Sequence, residues 1–125
     1  MKRILFVFLF PLLIFSQKSD LKFYEVFSKS QNSKVSCYRI PSIITTDKGT
    51  LIAAADERVL ACNDLKSNRD INIVIRTSND EGKSWSSINR LVDYPFGESA
   101  SDPSMIFDKK RKQIYLFYNY MNLEK

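Results

Sequence analysis

Arg39, Asp64 and Asp102 are the residues of this chain best suited to chemistry on a charged substrate. Arg39 stands in Tyr38-Arg39-Ile40-Pro41. Proline has no N–H and holds its predecessor extended, so this sequence fixes the backbone that carries the arginine. A guanidinium presents a planar fork of donors that matches a carboxylate bidentately. Asp64, in Ala61-Cys62-Asn63-Asp64, and Asp70, in Asn68-Arg69-Asp70, are candidate carboxyls for proton transfer, each readable instead as an ordinary loop residue. A carboxyl donates a proton near neutral pH only when a partly desolvated site raises its pKa. Asp102-Pro103 is a further candidate and also a common turn signal. The sequence has no histidine, which excludes a Ser-His-Asp triad and any histidine-bound metal. Its three glycines form no phosphate-cradling loop.

Downstream of Arg39 lies the octet Ser78-Asn79-Asp80-Glu81-Gly82-Lys83-Ser84-Trp85. It fits the pattern Ser/Thr-x-Asp-x-Gly-x-Thr/Ser-Trp known as the Asp box, and with Arg39-Ile40-Pro41 it makes the stretch from Tyr38 to Tyr120 resemble the opening part of a sialidase. The resemblance implies a β-propeller, expected to have six blades, of which this stretch makes about one and a half. It also implies roles. Arg39 matches the motif arginine that grips the substrate's carboxylate, with Tyr38 in place of the usual Phe. Arg58, nineteen positions later, falls where the family has a second active-site arginine, and is taken as substrate-binding, its work being to support charge in the pocket rather than to join the arginines that grip the carboxylate. Asp64, twenty-five positions after Arg39, matches the acid/base aspartate and is preferred to Asp70 on spacing. Asp102, sixty-three positions after Arg39, matches an aspartate on the amide-bearing side of the sugar. Ser78, Asp80, Gly82, Ser84 and Trp85 are expected to be fold residues remote from catalysis. No cofactor or metal is implied, and the implied partners are sialylated glycoproteins, glycolipids or oligosaccharides. In the family, a tyrosine activated by a glutamate is the nucleophile of a retaining mechanism. Tyr24, Tyr94, Tyr115, Tyr118 and Tyr120 do not match its position, so this chain alone is expected to be inactive. The alternatives are a non-catalytic Asp-box propeller or glycan-binding module, which would not need the four site residues in register, and a truncated remnant.

The elements that must hold these residues are short strands. Arg39–Thr46 and Leu51–Ala55 flank the turn Asp47-Lys48-Gly49-Thr50, Ile71–Thr77 and Ile88–Val92 flank the octet, and Ser104–Phe107 and Gln113–Tyr120 flank Lys109-Lys110-Arg111-Lys112. Six strands without helical periodicity predict an all-β fold. Four make a blade over 38–92, and two begin the next over 102–120.

Residues 1–17 read as a signal peptide: Lys2 and Arg3, then twelve mainly apolar residues, Ile4 to Phe15, interrupted by Pro11. A membrane-spanning helix needs roughly 20. The chain is thus expected to be exported, with a lead-in over 18–37 and the partial propeller over 38–125. The formal charge of +5 includes Lys2 and Arg3, which leave with the signal, and the one basic run reads as a solvated hairpin tip, so no nucleic acid is expected. Cys37 and Cys62 lie two residues before Arg39 and Asp64. In an oxidising compartment they can pair; two buried thiols are the other reading.

Overall fold

The computed structural model describes residues 22–125, so the expected signal peptide and the first residues of the lead-in lie outside it. Four strands, β1 (Cys37–Thr45), β2 (Leu51–Arg58), β3 (Ile71–Ser78) and β4 (Asn89–Val92), form one antiparallel sheet in chain order. A further pair, β5 (Glu98–Asp108) and β6 (Gln113–Asn122), forms a second, two-stranded sheet. Short 3-10 turns occupy Lys29–Gln31 and Leu65–Ser67. The described residues are therefore all-β: one complete blade and the first half of a second.

The first hairpin closes where expected, with the Thr46 N–H bonded to the Thr50 carbonyl at 2.9 Å and Gly49 at φ +81°. Two strands are longer than their sequence suggests. Expected to stop at Ala55, β2 continues through Asp56, Glu57 and Arg58, and all three are buried. Charges survive burial when they are paired. Here Arg58 meets Asp56 at 3.0 Å, and Glu57 meets Arg90. Likewise β5 begins at Glu98 rather than Ser104, because buried Ser99 and Ser101 find partners on the first blade.

The core lies where the blades meet. Ala54, Ile73 and Ala100 are fully buried there, with Ile75, Val92, Tyr94, Met105 and Leu116 packed around them. Small side chains on β2 let the second blade approach closely, which brings β5 alongside β1.

The octet turns the chain between β3 and β4. Ser78 Oγ accepts from the Gly82 N–H at 2.9 Å, Asp80 Oδ1 accepts from the Ser84 N–H at 2.9 Å, and Trp85 Nε1–H donates to the Gly82 carbonyl at 3.1 Å. Gly82 sits at φ +85°, in the left-handed region. The β2–β3 connection, which carries Asp64, leaves from Arg58 and returns at Ile71, whereas the octet begins at Ser78, the other end of β3. At roughly 3.3 Å per residue the two are more than about 20 Å apart along the strand.

Candidate active site

Arg39 projects from β1 immediately before a bulge. Arg39 pairs with Asp56 and Ser42 with Ala54, so Ile40 and Pro41 together face one residue of β2. Ile40 adopts φ 50°. β5 repeats the device: Ser101 pairs with Asn119, Ser104 with Phe117, and Asp102, at φ 62°, shares the bulge with Pro103. Bulges re-aim side chains and raise local twist. The sequence carried this signal, since Ile40-Pro41-Ser42-Ile43-Ile44 and Asp102-Pro103-Ser104-Met105-Ile106 share the order x-Pro-Ser-aliphatic-Ile. Each first strand of a blade thus presents a charged residue, Arg39 or Asp102, at or beside a proline bulge.

Three of the four residues singled out for the site touch directly. Arg39 Nη1 and Arg58 Nη1 both donate to Asp64 Oδ1, at 3.0 and 2.8 Å. The same two nitrogens share the Cys62 carbonyl, at 3.1 and 3.0 Å, and Arg58 Nη1 also reaches the Asn63 carbonyl at 2.7 Å. Asp70 is elsewhere, accepting from Asn72 Nδ2 at 3.1 Å at the start of β3. Cys37 and Cys62 form a disulfide with Cα atoms 5.7 Å apart.

Exposure separates the roles of the two arginines. The Arg39 side chain is 43% exposed and that of Asp64 is 77% exposed, but that of Arg58 is only 2% exposed. The buried Arg58 guanidinium is engaged by two carboxylates and two carbonyls, with one Nη2 hydrogen left over among the described residues. These contacts position Asp64. Burial opposes the Arg58 charge, yet the Asp64 and Asp56 carboxylates outweigh it and raise its pKa. In return the Arg58 hydrogen bond, followed by the Arg39 charge, holds Asp64 below the ordinary carboxylate range. That is opposite to the raised pKa expected of a proton donor.

Asp102 joins this group through its backbone. Asp56 Oδ1 accepts from the Asp102 N–H at 2.9 Å, and Asp56 Oδ2 accepts from Ser101 Oγ at 2.6 Å and from Arg58 Nη2 at 3.0 Å. The Asp102 side chain stays exposed and accepts from Asn119 Nδ2 at 2.7 Å. Sequence reasoning passed over Asp56, Ser101 and Asn119. Asp56 was discoverable, because Asp-x-Arg on a strand puts acid and base on one face.

No protein-family model matches the chain. It is 36% identical over 105 residues to the anhydrosialidase of Macrobdella decora, a match that covers 67% of this chain and 14% of that protein. It is 30% identical over 86 residues to a sialidase of Bacteroides fragilis, covering 63% of this chain and 15% of that protein. Among solved structures it superposes on a leech intramolecular trans-sialidase, determined with 2,7-anhydro-Neu5Ac bound, at TM-score 0.72 and 28% identity. That superposition covers 82% of this chain and 18% of the other. The chain therefore spans about a seventh of the length of the curated relatives it matches. With the blade and a half, the motif order and these likenesses in agreement, the chain belongs to the sialidase family and forms a partial sialidase propeller.

Proposed function

We propose that this chain is part of an exported, retaining exo-α-sialidase that releases terminal sialic acids from glycoproteins, glycolipids or oligosaccharides. The observation that carries the reading is the convergence of Arg39 and buried Arg58 on the exposed Asp64 carboxylate. Arg39 binds the substrate's carboxylate, and Asp64 protonates the glycosidic oxygen as the bond to the anomeric carbon breaks. Asp102 contacts the amide side of the sugar. A bound substrate raises the Asp64 pKa in two ways: its carboxylate draws on the charge of Arg39, and its bulk excludes water from an acid that is otherwise solvated. The Cys37–Cys62 disulfide supports export, since such bonds persist in oxidising compartments. Among the described residues no helix is long and apolar enough to cross a membrane.

No tyrosine hydroxyl among the described residues hydrogen-bonds to Arg39, Arg58 or Asp64. Tyr120 donates to Glu98 at 2.6 Å, but this pair bonds no member of the Arg39–Asp64 group. We therefore expect residues 22–125 alone to be inactive. A fluorogenic sialoside tests both parts of the proposal: a complete propeller containing this segment should release the fluorophore, and residues 22–125 should not. No turnover by the complete propeller would overturn the sialidase reading. Turnover by the segment would overturn only its expected inactivity.

A second reading is intramolecular transfer in place of hydrolysis, favoured by the names anhydrosialidase and intramolecular trans-sialidase among the relatives. Mass spectrometry of the released sugar separates the two, because the anhydro product is one water lighter than free sialic acid.

A further inference from the structure

The loop that carries Asp64, residues 59–70, is anchored firmly at both ends and lightly in the middle. At its start Val59 N–H bonds to the Asp70 carbonyl at 3.1 Å, and the Val59 carbonyl accepts from Ser36 Oγ at 2.9 Å. On its far side, buried Asn68 donates to the Ala61 carbonyl at 2.7 Å and its own carbonyl accepts from Ser99 Oγ at 2.9 Å. Gly97 N–H bonds to the Arg69 carbonyl at 2.9 Å. Between these anchors Cys62, Asn63 and Asp64 are all exposed. Their only side-chain partners outside the loop, among the described residues, are the two arginines and Cys37.

We propose that the Cys37–Cys62 disulfide is a positioning bond for the acid, holding Asp64 in contact with Arg58 and Arg39. Cys37 and Arg39 are two apart on β1 and Cys62 and Asp64 are two apart on the loop, so the disulfide and the ion pair span the same separation of 25 residues. Residues two apart on a strand project to one face, which puts the sulfur link and the guanidinium side by side. The bond's second effect is on the Cys62 carbonyl, which it fixes as a shared acceptor for both arginines. Arg58 is itself held from behind by Asp56, so the covalent tie supplies what exposed Arg39 cannot: a fixed distance between β1 and the loop. Without it the exposed stretch 62–64 can move away from both cations. The groups facing Asp64 are Arg39 from β1 and Arg58 from β2, with Asp56 behind Arg58. The inference rests on the sialidase reading only for its catalytic consequence.

The test is carboxyl NMR on the purified full chain labelled at aspartate, with the Asp64 signal assigned through Asp64→Asn. Dithiothreitol supplies two electrons and two protons, becoming a cyclic disulfide as Cys37 and Cys62 become thiols. The double variant Cys37→Ser, Cys62→Ser provides the same comparison without reductant. Asp80, in the octet at the far end of β3, titrates at about 2 and reports whether the fold survives. If the proposal is right, Asp64 moves up toward about 3.9 in both cases while Asp80 stays at about 2. An unmoved Asp64 would overturn it, and so would a joint upward shift of Asp64 and Asp80, because the bond would then hold the whole fold rather than the acid. No activity is measured, so failure of the sialidase reading leaves this result intact.

Discussion

The side chain of Asp56 and the backbone N–H of Asp102 meet at 2.9 Å across the boundary between the two blades. The contact holds Asp102 at φ 62°, a left-handed conformation uncommon for a residue with a side chain. On its other oxygen Asp56 takes Arg58, which in turn holds Asp64. A single buried carboxylate thus fixes the backbone of one candidate substrate contact and the partner of the candidate acid.

Removing that carboxylate should be costly. Asp56→Ala would leave buried Arg58 with Asp64 as its one remaining carboxylate, would leave the Asp102 N–H without its acceptor, and would leave the Ser101 hydroxyl only its longer bond to Asp102 Oδ1 at 3.2 Å. Breaking a buried pair by deleting one partner costs about 3–5 kcal/mol. Urea denaturation of the full chain should show a loss of that order, with Asp56→Asn milder because it keeps one acceptor oxygen. A loss below about 1 kcal/mol, the scale of a surface pair, would mean the hub is not stabilising.

The division of labour between the arginines predicts different substrate dependences in a complete propeller. Asp64→Ala should slow natural sialosides by on the order of 10²–10⁴-fold, the usual contribution of a general acid. Substrates with good leaving groups need little protonation and should lose much less. Arg58→Lys should resemble Asp64→Ala in this respect, since an ammonium cannot span Asp56 and Asp64 as the fork does. Arg39→Lys should instead raise KM for all substrates alike. Equal losses on both substrate classes for Asp64→Ala would count against its role as acid.

Much of this arrangement was legible in the sequence, and what was not follows a physical pattern. The six strands and their order follow from alternating apolar residues and turn chemistry, as in Ile71–Ser78 and the Gly49 turn. Spacing brought out Arg39 and Asp64, which do meet. What escaped was the far end of β2: Asp56, Glu57 and Arg58 look like loop to any scale that rewards apolar residues, and become strand because each buried charge finds an ion-pair partner. Long-range pairs such as Asp56 with Asp102 leave no local trace. For the same reason the exposure of Asp64, and with it the lowered pKa, could not be read from an acid motif.

The octet predicts the acid limb of stability. Its Asp80 carboxylate accepts from the Ser84 hydroxyl and N–H and from Ser78, which brings its pKa down to about 2. A carboxylate depressed on folding contributes stability that is fully present above the unfolded value of about 3.9 and fades as pH falls through the folded value. Stability should therefore decline between about pH 4 and 2, to which Asp64, Asp47 and Asp108, all depressed, also contribute. Asp80→Asn should flatten this decline and lower stability by a constant amount above pH 5. Urea midpoints measured across pH for both proteins check this, and parallel curves would contradict it.

The second sheet predicts self-association of residues 22–125. Ile106, Tyr115 and Phe117 lie on the face of β5–β6 turned away from the core, and are 57%, 43% and 57% exposed. Among the described residues β6 also pairs only with β5, leaving one edge of backbone donors and acceptors open. An apolar face next to an unpaired edge is a template for joining another chain. Lys112 bonds to Asp47 rather than guarding this edge. Sedimentation velocity should show oligomers that grow with concentration, and Ile106→Lys with Phe117→Lys should return the segment toward monomer by placing charge on that face. A wild-type segment that stays monomeric at high concentration would show that the open sheet is not sticky, and the lysine variants would then have no effect to reverse.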